Sequence, residues 1–126
     1  MKKIINTPKA PAPIGPYNQA VLIKDTLYIS GQIPIDPATG NLVEGDIKAE
    51  TKQSMENLKA ILEEAGMTFE HVIKTSIFIK DMNQFSQINE VYGTYFDADT
   101  APARETVEVA NLPKFVNVEI SMIAVK

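Results

Sequence analysis

The sequence predicts one α+β domain, a mixed and mainly antiparallel sheet with two helices on one of its faces. Two patterns and one limit lead there. Five segments alternate their residues with the period of two that sends neighbouring side chains to opposite faces of a strand. Two others repeat apolar residues at helical spacing. They follow one another as strand, strand, helix, strand, helix, strand, strand, an order that lets both helices cover the same sheet face. The limit is length: 126 residues suffice for a single core and no more.

Residues 7–16, Thr-Pro-Lys-Ala-Pro-Ala-Pro-Ile-Gly-Pro, hold four of the eight prolines. Proline fixes φ and lacks a backbone donor, so this stretch reads as an extended, irregular lead-in. Tyr17 follows it, either as an aromatic plug over the core or as a site residue. Asn18 to Ile23 and Thr26 to Gln32 are apolar and β-branched runs joined by Lys24-Asp25, a compact hairpin signal. Ser30-Gly31-Gln32 ends the second run, and a glycine there marks a bulge or a close backbone approach. Ile33 to Asn41 is a turn-rich loop, since Asp-Pro and Gly-Asn both favour reversals.

The first helix is expected from Asp46 or Ile47 to Ala65. Its apolar stripe is Ile47, Thr51, Met55, Leu58, Ile61 and Leu62, with Lys48, Glu50, Lys52, Glu56, Lys59 and Glu63 in solvent. Gly66 stops it, being free to take the left-handed conformation. Phe69 to Lys80 is a strand with Ile73, Thr75, Ile77 and Ile79 on one face, and His71 is a solvated residue at its start. Asp81 is the expected N-cap of a second helix ending near Phe96, with Phe85, Ile88, Val91, Tyr92 and Tyr95 buried. Asn89 lies beside that stripe, where a polar side chain needs a partner.

The last two strands carry the chemistry. In 101–109, Arg104, Thr106 and Glu108 alternate with Glu105, Val107 and Val109; in 116–122, Asn117, Glu119 and Ser121 alternate with Val116, Val118, Ile120 and Met122. The short link 110–114 suits an antiparallel pair, which would bring Arg104 and Glu119 together on the less apolar face. An ordinary cross-strand ion pair is the plainer reading of those residue types. A fixed guanidinium beside a carboxylate also suits a small carboxylated substrate and a proton transfer. That face also holds Ile123 and Val125, too mixed for plain solvent surface, so a homo-oligomer is expected to cover it.

Composition excludes several classes. The chain has no cysteine, one histidine and a formal net charge of −4. Thiolate catalysis, disulfides and a His-rich metal centre are therefore out, and nucleic acid is a poor partner without clustered Lys and Arg. No apolar run suits a signal peptide or a membrane span, so a cytoplasmic protein is the default expectation.

Several segments together carry a family resemblance: Pro13-Ile14-Gly15-Pro16-Tyr17-Asn18-Gln19-Ala20, Leu27 to Pro34, Asn57 to Leu62, Asn89-Glu90-Val91-Tyr92, Pro102-Ala103-Arg104, Val107 to Pro113 and Val118-Glu119-Ile120. Over essentially its full length the chain resembles the Rid (YjgF-type) reactive-intermediate deaminases of the RidA branch. The resemblance implies a chorismate-mutase-like subunit in a homotrimer with sites between neighbours. It implies hydrolysis of 2-iminopropanoate and 2-iminobutanoate to 2-oxo acids and ammonia, which protects pyridoxal-phosphate enzymes, with no cofactor. Arg104 matches the family's carboxylate-binding arginine and Glu119 its water-activating glutamate, while Tyr17, Ser30, Gly31, Asn89 and Thr106 match pocket positions. Glu105-Thr106 departs from the Ser-Cys of many RidA proteins, and a backbone role at 106 survives that change. The competing expectations are a non-catalytic trimer that captures small carboxylates, and the ribonuclease or translation-inhibitor activity ascribed to some members.

Overall fold

A computed structural model describes residues 1–126. Its strands are β1 (Lys3–Ile5), β2 (Ala20–Ile23), β3 (Thr26–Gln32), β4 (Val72–Ile79), β5 (Ala103–Glu108) and β6 (Val118–Val125); its helices are α1 (Ile47–Glu64) and α2 (Phe85–Gly93). The six strands form one sheet in the order β1-β2-β3-β6-β4-β5. Every pairing is antiparallel except β4 with β5, which is parallel. The α+β expectation of a mixed sheet with two helices on one face holds.

The hairpin β2–β3 turns at Lys24-Asp25, with Lys24 at φ +52. Asp46 caps α1 by accepting from the Lys48 backbone N–H, and Gly66 (φ +74) follows its end, a conformation that costs glycine little. The helices cover the sheet face formed by Leu27, Ile29, Thr75, Ile77, Ile79, Ile120 and Met122. Met55, Leu58, Ile61, Leu62 and Ile88 pack into it from α1 and α2. Each such aliphatic side chain, fully buried, contributes about 1.5–3 kcal/mol.

Several expectations are corrected. β5 does not pair with β6: its parallel partner is β4, and β4 lies between them. A parallel pair needs a crossover, and α2 supplies it. β1, a sixth strand, was not expected; three residues are too few to show a period, and pairing with β2 makes the strand. Phe69–His71 is a 3₁₀ turn capped by Thr68 rather than strand. A register shift between Val72 and Lys74 turns Ile73 outward, leaving it 53% exposed. α2 stops at Gly93, and Tyr95 and Phe96 instead pack edge-on against Phe69. Glu50, expected in solvent, is buried, and its Oε1 accepts from Asn117 Nδ2 at 3.0 Å.

The opposite sheet face has no helix. Cross-strand registers put Val21, Tyr28 and Ile123 in one row, and Val107, Phe78 and Glu119 in another. Tyr28 is 51% and Val107 42% exposed, so a sizeable apolar area of this face meets solvent in one copy of the chain.

Candidate active site

Arg104 leaves the sheet on the helix side, since its register partner is the buried Thr75. This corrects the expectation that Arg104, Thr106 and Glu119 share the less apolar face. Alternation along β5 was read correctly, but facing depends on the neighbouring strand, and that neighbour is β4. No ion pair joins Arg104 to Glu119; the side-chain salt bridges are Lys48 with Glu90 and Lys74 with Glu105.

α2 holds the arginine. Arg104 Nη1 donates to Asn89 Oδ1 at 2.7 Å, which supplies the partner Asn89 was expected to need. The guanidinium carbon lies 5.0 Å from the Tyr92 ring centroid and 5.5 Å from that of Phe85. Phe85, Asn89 and Tyr92 recur at i, i+4 and i+7 and so share one helix face. The Tyr92 hydroxyl donates to Thr75 Oγ1 at 3.0 Å; burial is the main cause that pushes the phenol pKa above its usual value. Thr106, two residues from Arg104 on the same side, has a buried hydroxyl with no hydrogen-bond partner. Sequence reasoning placed Phe85 and Tyr92 in the core stripe and missed their contact with Arg104. Their spacing around Asn89 was the available signal.

The second group gathers on the helix-free side. Glu119, opposite Phe78 across the β4–β6 ladder, folds over the backbone of Gly31. A Cβ on residue 31 would stand 2.7 Å from Glu119 Cδ and 2.9 Å from Cγ, so glycine is what permits the carboxylate to lie there. Burial raises the Glu119 pKa above the ordinary carboxylate value, and no neighbouring cation or donor opposes that shift. Ser30 beside it donates its hydroxyl to the Asn18 carbonyl at 2.6 Å, tying β3 to the lead-in loop. Tyr17 is 47% exposed and no core plug; it lines a shallow cleft with Gly31, Gln32 and Ile14.

One chain thus holds two separate groups, Arg104 with Asn89 and Thr106, and Glu119 with Tyr17, Ser30 and Gly31. Two strand spacings, about 10 Å, and the sheet itself lie between them. His71 belongs to neither: its ring accepts from the Thr68 backbone N–H, closing a capping box. No helix is long and apolar enough to cross a membrane.

A profile of the Endoribonuclease L-PSP family matches residues 7–126. This chain belongs to that family, also called YjgF, RutC or Rid. A RutC family protein of Pyrococcus horikoshii is 55% identical over 126 residues, covering 100% of this chain and 99% of the relative. The mouse protein named 2-iminobutanoate/2-iminopropanoate deaminase is 49% identical over 126 residues, covering 100% of this chain and 93% of its own. The crystal structure of E. coli TdcF with bound serine superposes with a TM-score of 0.93 at 46% identity, covering 98% of both chains. Members of the Rid family at this level of identity therefore include a named deaminase.

Proposed function

We propose that this Rid-family chain hydrolyses small 2-imino acids, 2-iminopropanoate and 2-iminobutanoate, to 2-oxo acids and ammonia. The working unit is a homotrimer whose sites form between neighbours, and its role is to spare pyridoxal-phosphate enzymes from reactive enamines. The observation that carries this reading is the separation of an anchored arginine from an unpaired, half-buried glutamate on opposite faces of one sheet. A molecule of three or four carbons cannot reach both within one chain. The uncovered apolar face around Tyr28, Val107 and Ile123 offers the contact through which a second copy would bring its Glu119 to the first copy's Arg104.

In that arrangement Arg104 takes the substrate carboxylate with the donors Asn89 leaves free, a charge-assisted geometry that lysine does not reproduce. Glu119 accepts a proton from water, whose oxygen attacks the imine carbon. The nitrogen takes up the proton, giving a carbinolamine. Collapse of that species forms the C=O bond, breaks C–N and releases ammonia, so water and imine balance against oxo acid and ammonia. A carboxylate with a raised pKa suits both directions of that transfer. The serine bound by the E. coli relative carries the same α-carboxylate that Arg104 would hold.

The nuclease activity in the family's description has little support here. The formal net charge is −4, and the one histidine is engaged as a capping residue.

The test is a coupled assay in which a serine or threonine dehydratase generates the imine and oxo-acid release is followed with and without this protein. Arg104→Ala and Glu119→Gln chains are each expected to be nearly inactive. Co-refolded in equal amounts, they should recover about one quarter of the wild-type rate, because random assembly gives that share of sites an intact residue from each neighbour. Stoichiometric binding of oxo acid without acceleration would instead make the protein a carboxylate-binding trimer. Acceleration without recovery on mixing would place both residues in one chain's site.

A further inference from the structure

The ring contacts of Arg104 have no place in the reaction above, and the rings belong to side chains that pack as core. We infer that Phe85 and Tyr92 are positioning residues for the substrate anchor: an aromatic cage that, with Asn89, holds the Arg104 guanidinium in the orientation that receives a carboxylate. The inference rests on the anchoring role given to Arg104.

Four features carry it. Arg104 stands on β5, an edge strand, where only β4 supports the backbone and a long side chain would otherwise sample many rotamers. Asn89 restrains a single nitrogen at 2.7 Å, which leaves the guanidinium plane free to rotate. Rings at 5.0 and 5.5 Å remove that freedom, because the cation is attracted to a ring face. The Tyr92 ring is itself held, since its hydroxyl bonds the fully buried Thr75, which is the residue paired with Arg104 across the β4–β5 ladder. The cage is thus closed on itself: strand β4 fixes the ring, the ring fixes the arginine, and the arginine extends from the strand beside β4. The donors that Asn89 leaves free are then held in one orientation, ready for a planar, bidentate partner.

The experiment reads the cage without relying on turnover. Binding of 2-oxobutanoate is measured by calorimetry, and the Arg104 Nε–H signal is followed by NMR, in the wild type, Tyr92→Phe, Tyr92→Leu and Phe85→Leu. Tyr92→Phe keeps the ring and loses only its hydroxyl tether to Thr75, and Phe85 is only half-buried. The wild-type Nε–H is expected upfield of a free arginine through ring currents, moved partway toward the free value in Tyr92→Phe, which loses the tether, and furthest in Tyr92→Leu, with Phe85→Leu also moved toward it. The leucine variants should bind about 3–30-fold more weakly, the range a cation–π contact supports, and Tyr92→Phe should fall between the wild type and Tyr92→Leu. Combined with Arg104→Ala, Tyr92→Leu should weaken binding no further, because the ring acts only through the arginine. Additive losses in that double variant, or an unshifted wild-type signal, would overturn the cage. If the wild type shows the shifted signal yet binds no oxo acid, the proposed function fails while the cage stands.

Discussion

Arg104 and Glu119 lie two strands apart in opposite kinds of surroundings. The arginine is held from several directions, by Asn89 and by two rings, one of which is locked to Thr75. The glutamate packs closely against Gly31, and no cation or donor offsets its burial. The difference matches the two roles proposed for these groups. An anchor needs one geometry, and every extra contact lowers the ordering cost when substrate binds. A proton carrier must hold and release its proton near neutrality, and a strong ion pair would clamp it in the charged form.

The largest effect should come from removing the proton carrier. Glu119→Gln is expected to lower kcat by about 10²–10⁴ with little change in KM, the range of one general acid–base group; steady-state kinetics decide it. In the wild type, kcat/KM should fall on acidification, with a midpoint above that of an ordinary carboxylate, because burial raises the Glu119 pKa. The sign for stability follows from the same shift. The folded chain binds this proton more tightly than the unfolded chain, so the stability linked to it is complete below the unfolded pKa and is lost as pH rises through the folded one. Glu119→Gln should therefore raise Tm at neutral pH and leave it unchanged at acid pH. A drop at neutral pH would mean that Glu119 has a stabilising partner after all.

Damage to the anchor ranks next. Arg104→Lys keeps the charge but loses the fork and the flat face against the rings, and KM should rise about 10–150-fold, the worth of a charge-assisted contact of about 1.5–3 kcal/mol. Equal KM values would show that the cage orients nothing of consequence. Gly31→Ala probes the glutamate side from below. Its Cβ would displace Glu119 rather than backbone, so activity should fall about 10–100-fold while circular dichroism shows Tm nearly unchanged. The smallest effect belongs outside both regions. His71→Ala should leave kcat/KM within about twofold and cost about 0.5–1.5 kcal/mol of stability, one hydrogen bond of the capping box. Loss of turnover there would reopen histidine chemistry.

Local pattern made much of this legible. The β2–β3 hairpin, α1 with its Gly66 stop and the alternation of Arg104 against Glu105 all follow from periods and turn residues that neighbours in sequence decide. Which strand lies beside which does not. The link 110–114 suits a hairpin, yet β6 inserts between β3 and β4, and the parallel β4–β5 pair forms across α2. That choice moved Arg104 to the helix side, a change no reading of 101–109 alone could supply. Glu50 was misjudged for a related reason, as its partner Asn117 arrives from the far end of the chain. Asn89 was half legible: its need for a partner was visible, and the identity of that partner required the crossover.

The parallel pairing has a further consequence in how the chain reaches its final form. Everything that holds the arginine lies in one βαβ stretch, from Thr75 through Phe85, Asn89 and Tyr92 to Arg104 itself. The glutamate's surroundings join Gly31 to Glu119, across most of the chain's length. Contacts close in sequence cost less loop entropy and form sooner. The arginine's cradle is thus built within a local folding unit, whereas the surroundings of Glu119 are set only after β3 and β6 have met.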